Sequence, residues 1–135
     1  MKPIKQEHLF GCAVACVASV LGIDYQEALS IFSDGRNKAK TTGFYCKEIV
    51  EVLENEGLRY EYKYIKPKVR KKIYQHRVII FLRRSKKYPE GHYLCRTGKV
   101  WMDSWVNFPA DKRETGFRKR LPEKPIYVIY PVTAI

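Results

Sequence analysis

The 135-residue sequence lacks the long apolar runs that membrane-spanning helices require. No stretch of 18 or more apolar residues occurs in it. The first residues, Met-Lys-Pro-Ile-Lys-Gln-Glu-His, are charged and lead into no apolar segment with a small-residue cleavage site, so they do not resemble a secretory signal. We therefore expect a cytoplasmic protein without a membrane span.

Internal repeats, low-complexity tracts and Gly/Ser-rich linkers are missing as well. Hydrophobic residues make up 45% of the chain and aromatic residues 13%. This composition excludes a disordered segment. A chain of this length is large enough for one hydrophobic core, so we predict a single domain over residues 1–135.

Acidic residues are scarce in the middle of the chain. The formal net charge is +12, and residues 59–90 hold 12 basic residues against 2 acidic ones. The basic block Arg59–Lys87 would attract an acidic partner or a nucleic acid. A solvated face that keeps a small domain soluble is the simpler interpretation, because charge alone is weak evidence of a partner.

Cysteines are few, and without a signal segment we expect them to be reduced thiols. Cys46 and Cys95 are predicted to be buried and free. His8, Cys12 and Cys16 recur every four residues and could share a helix face. Zinc sites usually take closely spaced pairs of cysteines, so we predict neither a metal nor a cofactor.

Helical patterns fill the first part of the chain. The run from Cys12 to Leu21 is apolar nearly all round, which predicts a buried helix ended by Gly22. Asp24 is a predicted N-cap for a second helix over Tyr25–Phe32.

A polar loop is predicted from Ser33 to Lys40. We expect Thr41 or Thr42 to cap a third helix, because apolar residues recur at helical spacing as far as Leu53. Gly57 would end that helix.

Strand patterns follow Gly57. Tyrosines alternate with charged residues, and short apolar runs flank a predicted turn at Thr97-Gly98. Helices followed by antiparallel strands indicate an α+β domain. The predicted strands are Tyr60–Tyr64, Val78–Leu82, His92–Arg96, Lys99–Asp103 and Ile126–Tyr130.

Cys12 is the candidate nucleophile. It follows Gly11 and opens the most apolar helix, where the unsatisfied backbone amides stabilise a thiolate. Cys16 lies one turn deeper, and burial would make it inert. Taken alone, the helix is equally consistent with two small core residues.

His92 is the candidate general base, because Gly91 precedes it and a strand follows, which would place the imidazole at a cleft edge. His76 lies in a strongly basic stretch, and His8 precedes Cys12 by four residues. Asp103 ends the strand that pairs with that of His92, so the two would be cross-strand neighbours. Asp103 or Asn107 could accept the second ring N–H and fix the tautomer.

These motifs resemble those of the bacteriocin-processing peptidases, the double-glycine leader peptidases and their stand-alone relatives in the papain-like superfamily. The resemblance covers the first helix and the predicted His92–Asp103 hairpin. The matching motifs, in order, are Gln6-x5-Cys12, Ala15-Cys16, Gly91-His92 and Asp103.

The resemblance implies a papain-like fold, with N-terminal helices and the nucleophile on a central helix against a C-terminal antiparallel sheet. It also implies a hydrolase that cleaves a peptide or isopeptide bond in a peptide or protein. Cys12, His92 and Asp103 would form the triad, and Gln6 would donate its amide to the oxyanion hole beside the N–H of Cys12.

Two features depart from the family. Ala13 stands where the family usually has Gly, so its methyl group either restricts the substrate or merely packs. The interval from His92 to Asp103 is short, which keeps Asn107 open. These 135 residues hold no transporter segment, so we do not expect a role in trimming leaders during export.

Three alternatives stay open at this point. Deamidation or acyl transfer would use the same catalytic parts. A basic toxin-like or effector-like domain of the same fold would act on or bind RNA or an acidic protein through the Arg59–Lys87 block. A third alternative is a catalytically silent binding module.

Overall fold

The computed structural model describes residues 3–86, 88–104 and 115–132. Within these ranges, helices come first and strands follow. The helices are α1 (Cys12–Leu21), α2 (Tyr25–Ile31), α3 (Gly35–Thr41) and α4 (Cys46–Asn55), with a short 3-10 helix at Arg70–Tyr74. The strands are β1 (Tyr60–Tyr64), β2 (Ile79–Leu82), β3 (His92–Thr97), β4 (Val100–Asp103), β5 (Gly116–Arg118) and β6 (Pro125–Pro131).

The strands form one sheet in the order β1-β6-β2-β3-β4-β5, and every neighbouring pair is antiparallel. The predicted α+β class is therefore confirmed. Among the described residues, no single helix is long and apolar enough to cross a membrane; α1 and α2 meet the criteria only as a pair bent by 104°.

Helix α1 is the buried helix of the fold, as its composition predicts. Its residues from Cys12 to Val20 are all buried, and it packs on β3. Gly22 ends it in the left-handed conformation with φ 71°, which costs glycine little because it has no Cβ. The predicted cap of the second helix is also confirmed, because the Asp24 side chain accepts from the Glu27 N–H.

The sheet separates two hydrophobic clusters, because successive side chains along a strand point to opposite faces. Ile79 and Tyr93 lie in the cluster with α1, α2 and α4. Ile80 and Leu94 lie in a second cluster, to which the 3-10 helix contributes Ile73. His92 and Asp103, which begin β3 and end β4, therefore lie on a sheet that is packed on both faces.

The predicted loop from Ser33 to Lys40 is wrong, because α3 occupies most of it. This helix has little apolar periodicity; Gly35 and Ala39 are its buried residues. A Cβ on Gly35 would overlap the carbonyl oxygen of Leu29, so close packing on α2 stabilises a helix that its own sequence does not indicate.

The predicted start of the next helix is also wrong. Thr41 ends α3, and α4 begins at Cys46 with Tyr45 as its N-cap. The Glu48 carboxylate accepts the Tyr45 backbone N–H at 3.0 Å. A carboxylate that reaches back in this way satisfies a helix-end donor without a threonine.

Candidate active site

Helix α1 presents Cys12 at its first turn. Gly11 precedes it without a side-chain cap, and Cys12 is 9% exposed at the border of a cleft of about 1840 Å³. The backbone N–H of Tyr93 donates to the Cys12 sulfur at 3.5 Å. The thiol thus borders the cleft, and the Tyr93 amide of β3 lies beside it.

The β3–β4 hairpin brings His92 and Asp103 together. Arg96 lies opposite Trp101 and Cys95 opposite Met102. One further step of this register puts Asp103 opposite Leu94, diagonal to His92. The Nε2–H of His92 donates to Asp103 Oδ1 at 2.8 Å, and both side chains are buried.

The Cys12 thiol lies close enough to the His92 imidazole for its charge and a hydrogen-bonding interaction to raise the pKa of that ring. Because Nε2 is bonded to Asp103, Nδ1 is the ring nitrogen that remains for the sulfur. The side chains of Cys12 and Asp103 therefore both act on the imidazole of His92. This is the arrangement in which one group activates a nucleophile and a second orients the base.

The electrostatics of the site favour a protonated imidazole at His92. Burial lowers the pKa of His92 most strongly, but the charge of the Cys12 thiolate and the hydrogen bonds to Asp103 and Cys12 outweigh it and raise the pKa to about 9. The raised pKa therefore favours the imidazolium form of His92 at neutral pH.

The other cysteines lie in different surroundings. Burial raises the pKa of Cys16 well above its ordinary range and that of Cys95 to about 12. Both were expected to be inert or buried, and both are buried and free. Cys46 was predicted to be buried, and this is wrong: it is partly exposed beside the cleft, 3.7 Å from the Tyr93 hydroxyl.

Two neighbours of the His92–Asp103 pair carry no sequence signal that links them to it. Tyr88 stacks on His92 with ring centroids 4.6 Å apart. Arg118, on β5, places Nε 3.7 Å from Asp103 Oδ2. Both contacts arise from tertiary packing, and no motif or spacing would have found them.

Gln6 is buried beside Ser104, the residue that follows Asp103. Its Nε2 donates to the carbonyl oxygens of His8 and Leu9, each at 3.0 Å. Ser104 Oγ donates to its Oε1 at 2.8 Å. The amide expected in the oxyanion hole is thus bonded to the loop before α1, and its oxyanion role stays a prediction.

The surroundings of three further sequence candidates, Ala13, His8 and His76, are also defined. Ala13 is fully buried, so its methyl group packs in the core. Asn107 lies outside the described residues. His8 Nδ1 hydrogen-bonds the Tyr25 hydroxyl, and His76 Nδ1 accepts the Gly98 N–H, both at 2.9 Å.

Among the residues that the structure describes, no three His, Cys, Asp or Glu side chains converge into a group that could hold a metal ion. The series of His8, Cys12 and Cys16 does not form such a group. His8 instead pairs with Tyr25 on α2, and Cys16 is buried in the core of α1.

The cleft beside Cys12 is lined largely by apolar and aromatic side chains. Phe81, Tyr93 and Tyr127 lie along it on the sheet, and Tyr45 on the α4 side is 80% exposed. Its volume of about 1840 Å³ exceeds the roughly 300–1,000 Å³ of ordinary small-molecule sites. The cleft has room for a segment of polypeptide.

Neither protein-family models nor curated proteins gave a match to this chain. Among the described residues, the feature that indicates a function is the grouping of Cys12, His92 and Asp103 around one imidazole.

Proposed function

We propose that this chain is a cysteine-dependent hydrolase of papain-like architecture that cleaves a peptide or isopeptide bond. The observation that carries the proposal is the buried His92–Asp103 hydrogen bond of 2.8 Å, with Cys12 close enough to the same imidazole to raise its pKa. Support also comes from the position of Cys12 at the start of α1, packed on the antiparallel sheet.

Acylation follows from these positions. The thiolate of Cys12 attacks the carbonyl carbon of the substrate, forming the S–C bond and an oxyanion. Amides at the first turn of α1 stabilise that charge. The imidazolium of His92 then gives its proton to the departing amine as the C–N bond breaks, which leaves a thioester on Cys12.

Deacylation uses the same groups in reverse. Neutral His92 takes a proton from water, whose oxygen attacks the thioester carbonyl. The C–S bond breaks, the carboxylic acid leaves, and the thiolate–imidazolium pair is restored. Asp103 keeps the ring oriented and stabilises its charge in both steps without taking the proton.

The substrate we propose is a peptide or protein, because the cleft next to Cys12 is larger than a small ligand requires. Transfer of the acyl group to an amine, or deamidation of a glutamine side chain, would use the same thioester. These reactions differ from hydrolysis only in which bond breaks and what accepts the acyl group.

The test is to mix the protein with a peptide pool and to identify new termini by mass spectrometry, with Cys12→Ala as the control. The proposal predicts new termini with the wild-type protein and none with Cys12→Ala. A small active ester, p-nitrophenyl acetate, should also acetylate Cys12 with release of p-nitrophenolate. Absence of both new termini and the acetyl adduct would contradict it.

A second candidate function is polyanion binding by the part of the basic block between residues 59 and 77. Its eight lysine and arginine side chains are all exposed, and none forms an ion pair with a described residue. Lysine is depleted in protein–protein interfaces but is common in phosphate contacts. The exposed ring of Tyr74 lies among these charges and could stack on a base.

This second function is tested by fluorescence anisotropy with a labelled single-stranded RNA at several salt concentrations. Replacing Lys66, Lys68 and Lys71 with Gln should reduce the slope of log K against log salt by about 2, since each neutralised phosphate contributes about 0.7. The same change at Lys5, Lys40 and Lys47 is the matched control. No RNA binding at low salt would end this proposal.

A further inference from the structure

Gln6 lies in the loop before α1, and Ser104 directly follows β4. The two residues form a buried junction between these segments. The Gln6 backbone N–H donates to the Ser104 carbonyl at 3.2 Å, and the Ser104 hydroxyl donates to Gln6 Oε1 at 2.8 Å. Both residues are buried. These two hydrogen bonds join positions that lie 98 residues apart in the sequence.

Both N–H donors of the Gln6 side-chain amide are engaged in hydrogen bonds. A side-chain amide has two N–H donors, and those of Gln6 reach the carbonyl oxygens of His8 and Leu9. To turn toward an oxyanion, the Gln6 side chain, which is only 1% exposed, would have to give up both of these hydrogen bonds and the one it accepts from Ser104. The observed amide orientation is also the one that gives Ser104 an acceptor.

The junction connects the loop before Cys12 to the end of the strand that carries Asp103. The loop that Gln6 holds runs directly into Cys12, and the Gly11 N–H donates to the His8 carbonyl within it. Ser104 directly follows Asp103, which holds His92. The junction therefore fixes the start of α1 relative to the end of β4, and with it the sulfur relative to the imidazole.

We infer that Gln6 is a positioning residue that acts with Ser104 to align Cys12 with His92, and that it is not the oxyanion donor. The inference rests on the proposed thiol chemistry of Cys12. The backbone N–H of Cys12, at the first position of a helix without a side-chain cap, takes the oxyanion role.

Two reactions of Cys12 separate the two roles. Alkylation by iodoacetamide forms an S–C bond, breaks the C–I bond and releases iodide without an oxyanion. Acetylation by p-nitrophenyl acetate forms an S–C bond and releases p-nitrophenolate through a tetrahedral oxyanion. An oxyanion donor therefore affects only acetylation, whereas alignment of the thiolate with the imidazolium affects both.

The experiment measures both rate constants in Gln6→Ala, Ser104→Ala and the double variant. We expect each single variant to slow both reactions by a similar factor, up to about a hundredfold, and the double variant to be no slower than the slower single one. A loss of about 10²–10³ in acetylation alone, confined to Gln6→Ala, would overturn the inference. Unchanged rates in either variant would overturn it too.

Two controls keep these outcomes interpretable. Cys16 and Cys95 are buried, so their alkylation reports unfolding, and only variants in which both stay unlabelled enter the comparison. Ser104→Thr, which keeps the hydroxyl, should recover most of the rate if it folds. If wild-type Cys12 itself is neither alkylated nor acetylated selectively, the proposed function fails, which is a distinct result from a failure of this inference.

Discussion

The ring of Tyr88 lies parallel to the imidazole of His92, with centroids 4.6 Å apart and an interplanar angle of 10°. The Tyr88 carbonyl accepts the backbone N–H groups of Ser85 and Gly91, so a folded loop holds the ring in place. An aromatic face stabilises a cation and excludes water from it. Tyr88 thus strengthens the His92–Asp103 hydrogen bond in a site of low dielectric.

The charge on His92 should appear in the pH dependence of Cys12 alkylation. The imidazolium is present below about pH 9 and lost above it, because the pKa of His92 is raised to about 9. The positive charge favours anionic iodoacetate over neutral iodoacetamide. We expect the ratio of the two rate constants to fall as the pH rises through about 9, and a ratio that is constant from about pH 7 to 10 would contradict the charged pair.

Replacing Tyr88 tests the stacked ring. Tyr88→Leu removes the aromatic face and should lower the pKa of His92 by about one unit, the size expected for a cation–π contact. The midpoint of the iodoacetate preference should shift to lower pH accordingly. Tyr88→Phe keeps the ring and should leave the midpoint in place; equal shifts in both variants would argue that the stacking has no role.

Asp103 is expected to contribute through both its charge and its hydrogen bond. In Asp103→Asn the amide oxygen can still accept the His92 Nε2–H, so the ring stays oriented, but the lost charge lowers the pKa of His92 and moves the midpoint down. Asp103→Ala removes both and leaves a buried ring N–H unsatisfied at a cost of about 1–3 kcal/mol. Alkylation rates and unfolding temperatures should decrease in the order wild type, Asp103→Asn, Asp103→Ala. Identical behaviour of the two variants would count against the orienting role of Asp103.

Gly91 is required for the approach of the β3 strand to Phe81. Its φ is +79°, and a Cβ there would overlap the Phe81 ring. Gly91→Ala should destabilise the fold by about 1–3 kcal/mol beyond the backbone strain and should slow Cys12 alkylation by displacing His92. Gly57→Ala is the matched control, because Gly57 has φ +87° but open space around its Cβ. Equal unfolding temperatures of the two variants would contradict this packing argument.

Much of this architecture could be predicted because its determinants are local. The apolar run of α1, its terminating Gly22 and the N-cap Asp24 follow from neighbouring residues. The contact between His92 and Asp103 could also be predicted, because a short hairpin at Thr97-Gly98 fixes the pairing of β3 with β4.

The parts that could not be predicted depend on contacts between distant residues. The helix α3 is stabilised by close packing of Gly35 on α2, and strand β5 delivers Arg118 to Asp103 from 15 residues along the chain. The donors of Gln6 are engaged by carbonyls whose position depends on the folded loop. Sequence order could suggest a role for Gln6 but not the direction of its amide.

If His92 activates Cys12, selective labelling of the Cys12 thiol should depend on the imidazole. A limiting amount of iodoacetamide is added at neutral pH and the modified cysteines are mapped by mass spectrometry in the wild type, His92→Ala and His76→Ala. His76 is exposed and lies outside the site, so it is the matched histidine control. We expect selective labelling of Cys12 in the wild type and in His76→Ala, and loss of that labelling in His92→Ala. Labelling of all four cysteines only after denaturation would show that His92 does not activate Cys12.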